Sequence, residues 1–290
     1  MSLTDTLREL VHRVATAEVL DRVGKPVASK VADIVGHGPV KDALSGTWLG
    51  HPLHPLLTDV PIGFWTSSFV LDIAGGRRGR PAADRLLGLG IVSALPTAAS
   101  GLSDWSDTIG EDRRIGVAHA IANNVALVLY SWSWLARKRG RRGKGLVLGF
   151  LAATAATGGG YLGGHLVFRQ GVNTDRNAWK RGGDDWVDVA GDLELTAGQP
   201  LVVKAHDDDV LLVRTAGVVA AISNVCGHAG GPLDEGDFDD AGCVTCPWHG
   251  SVFRLSDGHV VHGPATGHQP RYDVRSAGGR LSLRRLRSPA

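Results

Sequence analysis

Charged residues are missing from three long stretches of this 290-residue chain, although 21% of all its residues are charged. The stretches without Asp, Glu, Lys or Arg are residues 86–102, 115–136 and 145–168. Each falls within the roughly 17–25 apolar residues that cross a bilayer core as a helix. A fourth apolar stretch, residues 56–74, is weaker because it carries Asp59 and Asp72. The sequence therefore predicts an all-α four-helix transmembrane bundle; the alternative is a buried helical bundle in a soluble protein.

Methionine and cysteine are scarce, with one and three residues respectively. All three cysteines lie between positions 226 and 246, whereas a secreted disulfide framework uses an even number of dispersed cysteines. The first residues lack a basic cap followed by an apolar run, so no signal peptide is expected. A net charge of +2 does not provide the basic surface that nucleic acid requires. We therefore expect membrane lipid as a partner, and no nucleic acid.

Charge returns after Arg169 and recurs every few residues to the end of the chain. Apolar runs such as VLLVRTAGVVAAIS alternate there with turn signals such as DDD and SDG, a pattern typical of short strands. At the other end, Leu3, Leu7 and Leu10 recur at helical spacing. The sequence thus predicts a multidomain protein with four parts: an amphipathic helical segment (1–45), a four-helix membrane domain (46–170), a linker (171–185) and a small all-β domain (186–290).

The loops that join the predicted spans differ in charge. RRGR at 77–80 and RKRGRRGK at 137–144 are basic, whereas SDWSDTIGEDRRIG has mixed charge. Lys and Arg close to the ends of a span favour the cytoplasmic side. We therefore expect a multi-pass protein of the cell membrane, with both termini and the C-terminal domain on the outer face.

Cysteine and histidine form two closely spaced pairs in the C-terminal part. Cys226 and His228 are separated by one residue, and Cys246 and His249 by two. Two thiolates and two imidazoles can form one tetrahedral zinc site. They can instead hold a 2Fe–2S cluster, with the cysteines on one iron and the histidines on the other. The third cysteine, Cys243, falls on a predicted strand, where the role of a small buried residue is expected.

The segments CGHAGG and CPWHGS resemble the two cluster loops of Rieske iron–sulfur proteins. The resemblance covers residues 186–286 and includes residues 263–265, which match the proline-bearing loop that shields the cluster in that family. It implies a small all-β domain that binds a 2Fe–2S cluster. It also implies four ligands, the cysteines on one iron and the histidines on the other: Cys226, Cys246, His228 and His249.

The sequence departs from the Rieske proteins of cytochrome bc complexes at two positions where those proteins carry a disulfide. Gly231 and Trp248 stand there instead. Ser251 matches a serine that donates a hydrogen bond to a cluster sulfur, but Phe253 replaces a tyrosine that donates another. Fewer donors leave the reduced cluster less stabilised, so we expect a potential in the lower part of the Rieske range of roughly −150 to +300 mV. The pattern is similar to soluble Rieske ferredoxins and to the Rieske domains of oxygenases.

About 40 residues follow His249, whereas oxygenases carry a mononuclear iron site in a large domain after the Rieske domain. We therefore expect no complete oxygenase domain, and whether the protein is itself an enzyme stays open. The expected function is one-electron transfer by a membrane-anchored 2Fe–2S protein. The sequence does not identify the electron donor and acceptor, which are proteins or a quinone.

The segments GTWLGHPLHPLLTDVPIGFW and GGYLGGHLVFRQGV resemble a bacterial family of four-helix membrane domains of unknown function. Four histidines fall near one predicted membrane face: His51, His54, His119 and His165. Ionisable residues within spans usually face the bundle interior or a cavity, and imidazole is a common ligand for iron. One hypothesis is a second site for haem, a metal or a quinone, in a membrane oxidoreductase acting on a quinone or small molecule. The alternative is that these histidines cap helix ends or hydrogen-bond between helices.

Overall fold

The computed structural model describes residues 2–215 and 217–286. Within these residues the chain forms seven α-helices followed by ten β-strands. This confirms the predicted order of a helical N-terminal region and an all-β C-terminal region. Residue 1 of the predicted helical segment and residues 216 and 287–290 of the predicted all-β domain lie outside the described residues.

The chain divides into two compact units. The first comprises residues 1–35 and 53–172, and the second comprises residues 36–52 and 173–290. The helices, numbered in chain order, are α1 (Leu3–Ala15), α2 (Asp21–Val35), α3 (Pro39–Ser45), α4 (Leu53–Ala74), α5 (Gly76–Ser106), α6 (Gly110–Lys138) and α7 (Arg142–Phe168). Helix α3 is therefore part of the second unit, and the other six helices are part of the first.

Two short amphipathic helices open the first unit, and the spacing of Leu3, Leu7 and Leu10 predicts the first of them. Val11 and Ala15 of α1 are buried together with Ile115 of α6. Arg114, also on α6, donates to both carboxylate oxygens of Asp21 on α2, at 3.0 and 2.8 Å. An apolar contact and a two-pronged ion pair thus hold both helices against α6.

Three of the long helices, α5, α6 and α7, have the length and apolar character to cross a membrane, and α4 is not among them. The three charge-free stretches lie within these three helices. Large apolar side chains on them are exposed, including Val92, Leu95, Val125, Val128, Val147, Phe150 and Leu151. An apolar exterior of this extent is a surface for lipid rather than for water.

Glycine allows the long helices to approach each other closely. Trp65 of α4 stacks on Tyr130 of α6 with ring centroids 4.3 Å apart, and Leu87 of α5 is buried in the same cluster. A Cβ added to Gly90 would collide with the Trp65 ring. Small residues at such contacts favour tight packing of helices in lipid.

A buried ionic cluster lies where α4 ends, α5 begins and α6 meets α7. Arg137 and Asp72 form an ion pair at 2.7 Å, with side chains 3% and 6% exposed. Arg142 bonds the same carboxylate at 2.6 Å and Asp84 at 3.1 Å. Asp72, which weakens the apolar character of α4 in the sequence, is therefore neutralised by two guanidinium groups.

The second unit contains ten strands in three antiparallel sheets. The strands are β1 (Val187–Gly191), β2 (Pro200–Ala205), β3 (Asp208–Thr215), β4 (Val218–Ser223), β5 (Asp237–Phe238), β6 (Cys243–Thr245), β7 (Val252–Arg254), β8 (Val260–His262), β9 (Tyr272–Ala277) and β10 (Arg280–Arg285). The sheet orders are β1-β10-β9, β2-β3-β4 and β5-β6-β7-β8. The second cysteine-containing loop joins β6 and β7 of the last sheet, and the first follows β4 of the second sheet.

The hydrophobic core nearest those loops contains two of the three cysteines. Cys226 and Cys246 are buried in one cluster with Leu211, Ile222 and Phe253. A thiol placed among apolar side chains is shielded from water, so whatever binds there is shielded as well. The fold thus positions the candidate ligands at the boundary between a packed core and the loops.

Candidate metal centre

The two cysteine-containing loops make the same turn. In the first loop, residues 226–231, the Cys226 N–H donates to Gly231 O at 2.9 Å and Gly230 N–H donates back to Cys226 O at 2.9 Å. In the second loop, residues 246–251, Cys246 N–H donates to Ser251 O at 2.8 Å and Gly250 N–H donates to Cys246 O at 3.1 Å. The cysteine therefore has an equivalent place in both loops.

Each of the two turns contains a glycine with positive φ at the same position. Gly230 has φ 91° and Gly250 has φ 73°, a conformation that L side chains adopt only with strain. His228 is the second residue after its cysteine, and His249 is the third after its own. The difference between the two motifs is therefore a different histidine position within one shared turn.

The two thiols are buried and close to each other. Cys226 is 1% exposed and Cys246 is 3% exposed, and the Cys226 thiol donates a hydrogen bond to the Cys246 sulfur. That hydrogen bond lowers the pKa of Cys246 to about 7. Backbone N–H groups of His228 and Ala229 also donate to the Cys226 sulfur. The hydrogen bond to Cys246, together with burial, raises the pKa of Cys226. The environment of the pair therefore favours a thiolate at Cys246, the form of cysteine that binds a metal.

The two imidazoles are adjacent, with the edge of one ring directed at the face of the other. The ring centroids of His228 and His249 are 5.0 Å apart and the rings are perpendicular. In both rings Nδ1 is a buried nitrogen. Burial lowers the pKa of His228 to about 3, and positive charge on His249, Lys41 and Arg176 contributes to the shift. His228 is thus neutral, which is the form that binds a metal.

Residues 263–265, the covering loop, pack next to the second cysteine loop. Ala265 N–H donates to Ser251 Oγ at 2.9 Å. Ser251 is fully buried and Ala265 is 2% exposed. Ala265 also belongs to the same core cluster as Cys226 and Cys246. The loop therefore closes one side of the thiol pair against water.

The polar stretch before β1 holds the first cysteine loop in place. Arg176 N–H donates to Gly227 O at 2.9 Å. The Asn177 side chain donates to Val225 O at 2.8 Å and to Gln269 Oε1 at 2.8 Å. The sequence gives these residues no role beyond a polar connector. An asparagine preceded by an arginine carries no periodic signal, so only the folded contacts reveal this support.

The matched turns, the paired thiols and the paired imidazoles agree with the first of two family comparisons. Residues 185–273 match the Rieske [2Fe-2S] domain. Residues 50–176 match DUF2231, a family of predicted membrane proteins. The chain joins a DUF2231 membrane domain to a C-terminal Rieske domain. The recognition made from CGHAGG and CPWHGS is therefore confirmed, and so is the resemblance of the N-terminal part to a membrane family.

The Rieske domain is similar to domains in proteins of several organisms. It is 32% identical over 77 residues to a human Rieske domain-containing protein, covering 26% of this chain and 49% of that protein. It is 25% identical over 100 residues to the ferredoxin component of the naphthalene 1,2-dioxygenase/salicylate 5-hydroxylase systems of a Ralstonia species, covering 34% of this chain and 95% of that protein. The chain spans about half or less of the length of the first curated relatives that it matches.

Among solved structures, the ferredoxin of carbazole 1,9a-dioxygenase from Nocardioides aromaticivorans IC177 matches with 32% identity and a TM-score of 0.33. The match covers 34% of this chain and 96% of that one. The curated relatives of the Rieske domain include a ferredoxin component and a cytochrome b6-f complex iron-sulfur subunit. As a Rieske domain, residues 185–273 imply a 2Fe–2S cluster as the cofactor, as predicted.

The residues present fit such a cluster. A Rieske cluster takes two sulfur ligands on one iron and two nitrogen ligands on the other. The hydrogen-bonded thiols of Cys226 and Cys246 and the adjacent rings of His228 and His249 offer these atoms.

The positions that carry a disulfide in cytochrome bc proteins are neighbours in this structure. A Cβ added to Gly231 would lie 3.0 Å from Trp248 Cγ and 2.9 Å from Cys246 Sγ. The Trp248 side chain, itself 55% exposed, therefore fills the space that a side chain at position 231 would take. An indole on one loop and a glycine on the other bring the two loops together without a covalent bond.

Cys243 lies apart from the paired thiols. It is 9% exposed at the start of β6, and its N–H donates to Asp239 Oδ1 at 2.8 Å. Burial raises the pKa of the Cys243 thiol. These features agree with the predicted role of a small buried residue.

Two of the four membrane-region histidines bond a carbonyl on a neighbouring helix. His54 Nδ1 donates to Thr97 O on α5 at 2.9 Å, and His119 Nδ1 donates to Gly159 O on α7 at 2.8 Å. His165 lies in the last turn of α7, and His51 lies in the second unit. Such bonds of His54 and His119 are expected if these histidines hydrogen-bond between helices, which is the alternative to a second site. A haem, metal or quinone site at these residues stays a hypothesis.

Proposed function

We propose that this protein is a membrane-anchored one-electron carrier. Cys226 and Cys246 would ligate one iron of the 2Fe–2S cluster, and His228 and His249 would ligate the other. One observation carries this proposal: two equivalent turns bring the thiols together as one pair and the imidazoles together as another. The cluster supplies the chemistry by accepting and releasing a single electron.

The residues around the ligands would tune and protect the site. Backbone N–H groups directed at the cysteine sulfurs stabilise the added negative charge of the reduced state. The partly exposed imidazoles of His228 and His249 provide the route by which an electron enters or leaves. Trp248 lies beside His249, with ring centroids 6.4 Å apart, and is exposed. We propose that a redox partner docks at this end of the Rieske domain.

The DUF2231 domain would anchor the carrier through four membrane-spanning helices. α5, α6 and α7 are the strongest candidates, and α4 is of similar length with its single buried carboxylate, Asp72, neutralised by Arg137 and Arg142. The basic residues at 77–80 and 137–144 lie at one end of these helices. The chain leaves α7 at the opposite end, so the Rieske domain would lie on the outer face.

Reporter fusions test the proposed side. The full chain is fused at its C-terminus to alkaline phosphatase or to green fluorescent protein and produced in a bacterial host. Active phosphatase and a dark fluorescent protein are expected. A bright fluorescent fusion with inactive phosphatase would show that the Rieske domain faces the cytoplasm. The proposal for the cluster would not depend on that result.

Low-temperature electron paramagnetic resonance tests the cluster itself. Full-length protein in detergent is expected to give a signal only after reduction, with the low average g value of histidine-ligated 2Fe–2S clusters. Cys246→Ser should abolish this signal, whereas Cys243→Ser, the matched control in the same sheet, should retain it. A colourless protein that contains zinc would refute the proposal.

A further inference from the structure

Residues 36–52, the inter-helix segment, belong to the second compact unit although they lie between α2 and α4 in the chain. The segment contains α3 and a short 3₁₀ helix, Thr47–Leu49. Neither the family match at 50–176 nor that at 185–273 includes its helical part. Its contacts within the unit fall on the covering loop and on the second cysteine loop.

Asp42 makes the strongest of these contacts. Its Oδ1 accepts a hydrogen bond from Gly263 N–H at 2.6 Å. Its Oδ2 lies 2.9 Å from His262 Nδ1. One carboxylate therefore bonds two consecutive residues at the start of the covering loop. Hydrogen bonds to a charged acceptor are about twice as strong as neutral ones.

Two further residues extend the contact along the same surface. Thr47 Oγ1 donates to Ala265 O at 3.1 Å, at the other end of the covering loop. The His37 ring packs against Gly250, where an added Cβ would lie 2.6 Å from His37 Nδ1. Gly250 directly follows His249. The segment thus touches the covering loop at both ends and also touches the loop that carries a proposed ligand.

We propose that the inter-helix segment is an internal cover that keeps the covering loop closed over the cluster, with Asp42 as the positioning residue. Asp42 would act through residues 263–265, because Ala265 in turn bonds Ser251 beside the thiol pair. The inference deepens the proposed function and rests on it. It also goes further, since it gives a segment whose helical part lies outside both matched domains a role in the stability and potential of the cluster.

Two consequences follow from the position of Asp42. Release of the covering loop admits water, and removal of the carboxylate removes a negative charge close to the site. Both changes favour the reduced cluster, which carries one more negative charge. Loss of Asp42 is therefore expected to raise the reduction potential and to speed the loss of iron to a chelator.

The test compares Asp42→Ala, Asp42→Asn and Thr47→Val in the full-length protein. Asp273→Ala is the matched control, because Asp273 is also a carboxylate with a side-chain partner in the same unit, but it pairs with Arg284 across β9 and β10. Asp42→Ala should release iron to a chelator about tenfold faster, which equals about 1.4 kcal/mol. Asp42→Asn should release iron more slowly than Asp42→Ala, since its amide oxygen still accepts from Gly263. It should still raise the potential, but by less, because it removes the charge without releasing the loop.

Amide hydrogen exchange gives a readout that does not need the cluster. Exchange at Gly263 should quicken in Asp42→Ala, and exchange at Ala265 should quicken in Thr47→Val if Asp42→Ala does not fold. Unchanged exchange and unchanged potential in variants that contain a cluster would overturn the inference. Wild-type protein without a cluster would overturn the proposed function, and the exchange data would still decide whether the segment covers the loop.

Discussion

The backbone N–H of Ala265 donates to Ser251 Oγ at 2.9 Å, and Ser251 is fully buried. The hydroxyl oxygen is thus engaged as an acceptor, which leaves its O–H directed elsewhere as a donor. Ser251 ends the second cysteine loop, where its carbonyl accepts from the Cys246 N–H. This geometry suits the role that the family resemblance implies, a hydrogen bond from the serine to a cluster sulfur.

Replacement of Ser251 by alanine is expected to lower the reduction potential. A lost donor destabilises the reduced cluster, and a tenfold change in a one-electron equilibrium corresponds to about 59 mV. We expect a decrease of about that size by redox titration. Ser282→Ala is the control, since Ser282 is also buried but donates to Asp188 in another sheet. Equal potentials for Ser251→Ala and the control would contradict the prediction.

A second prediction concerns Asp208, whose carboxylate is fully buried in the Rieske domain. It accepts from Tyr272 Oη at 2.9 Å and pairs with Lys180. Lys180→Met should cost about 3–5 kcal/mol because it leaves a buried charge without its cation. Tyr272→Phe should cost about 1.5–3 kcal/mol, the value of one hydrogen bond to a charged group.

Thermal melts of the full-length protein in detergent test whether Lys180→Met loses more stability than Tyr272→Phe. Lys204→Met is the control, because Lys204 forms an exposed pair with Asp209 of the kind worth about 1 kcal/mol or less. A melt of Lys180→Met that coincides with that of the control would mean that the stretch before β1 does not support the domain.

The sequence predicts those parts of the fold that leave a local pattern. Charge-free runs predict three membrane-length helices, and C-x-H with C-x-x-H predicts the cysteine loops. The role of residues 36–52 leaves no such pattern, because Asp42 meets His262 across 220 positions of the chain. Lys180 and Asn177 are similar cases, since a polar stretch with no periodicity reads as a connector until its partners are known. The sequence alone therefore does not predict these long-range polar contacts.

A third prediction concerns the ionic cluster of the membrane domain. Asp72→Asn breaks the buried pair with Arg137 and removes a partner of Arg142, so it should cost about 3–5 kcal/mol. Asp59→Asn is the control on the same helix, where the carboxylate is exposed and the change should stay within about 0.5 kcal/mol. Both variants are heated in detergent, and the fraction of protein that remains monodisperse measures the difference in stability. Similar losses for the two variants would argue against a stabilising role for the cluster.

A fourth prediction concerns pH and the docking of α2 on α6. The hydrogen bond from Arg114 lowers the pKa of Asp21 to about 2. A carboxyl with a lowered folded pKa stabilises the fold above its unfolded pKa of about 4 and loses that effect as pH falls through its folded value. The melting temperature of wild type should therefore exceed that of Asp21→Asn at pH 7, and the gap should close between about pH 4 and pH 2. Asp33→Asn, with an exposed carboxylate on α2, should show no such gap, and a gap of constant size for Asp21→Asn would contradict the assignment.

The last prediction concerns the contact between Gly231 and Trp248. A Cβ at position 231 would press on both the indole and Cys246 Sγ, so Gly231→Ala should reduce the iron content of the purified protein. Trp248→Ala alone should retain the cluster, because the exposed indole is not a ligand. In the Trp248→Ala background, Gly231→Ala should be less harmful, since one of its two close contacts is gone. A double-mutant cycle on iron content and melting temperature measures this coupling. Additive effects would mean that the two loops do not pack through these residues, and that Trp248 serves only the exposed surface beside His249.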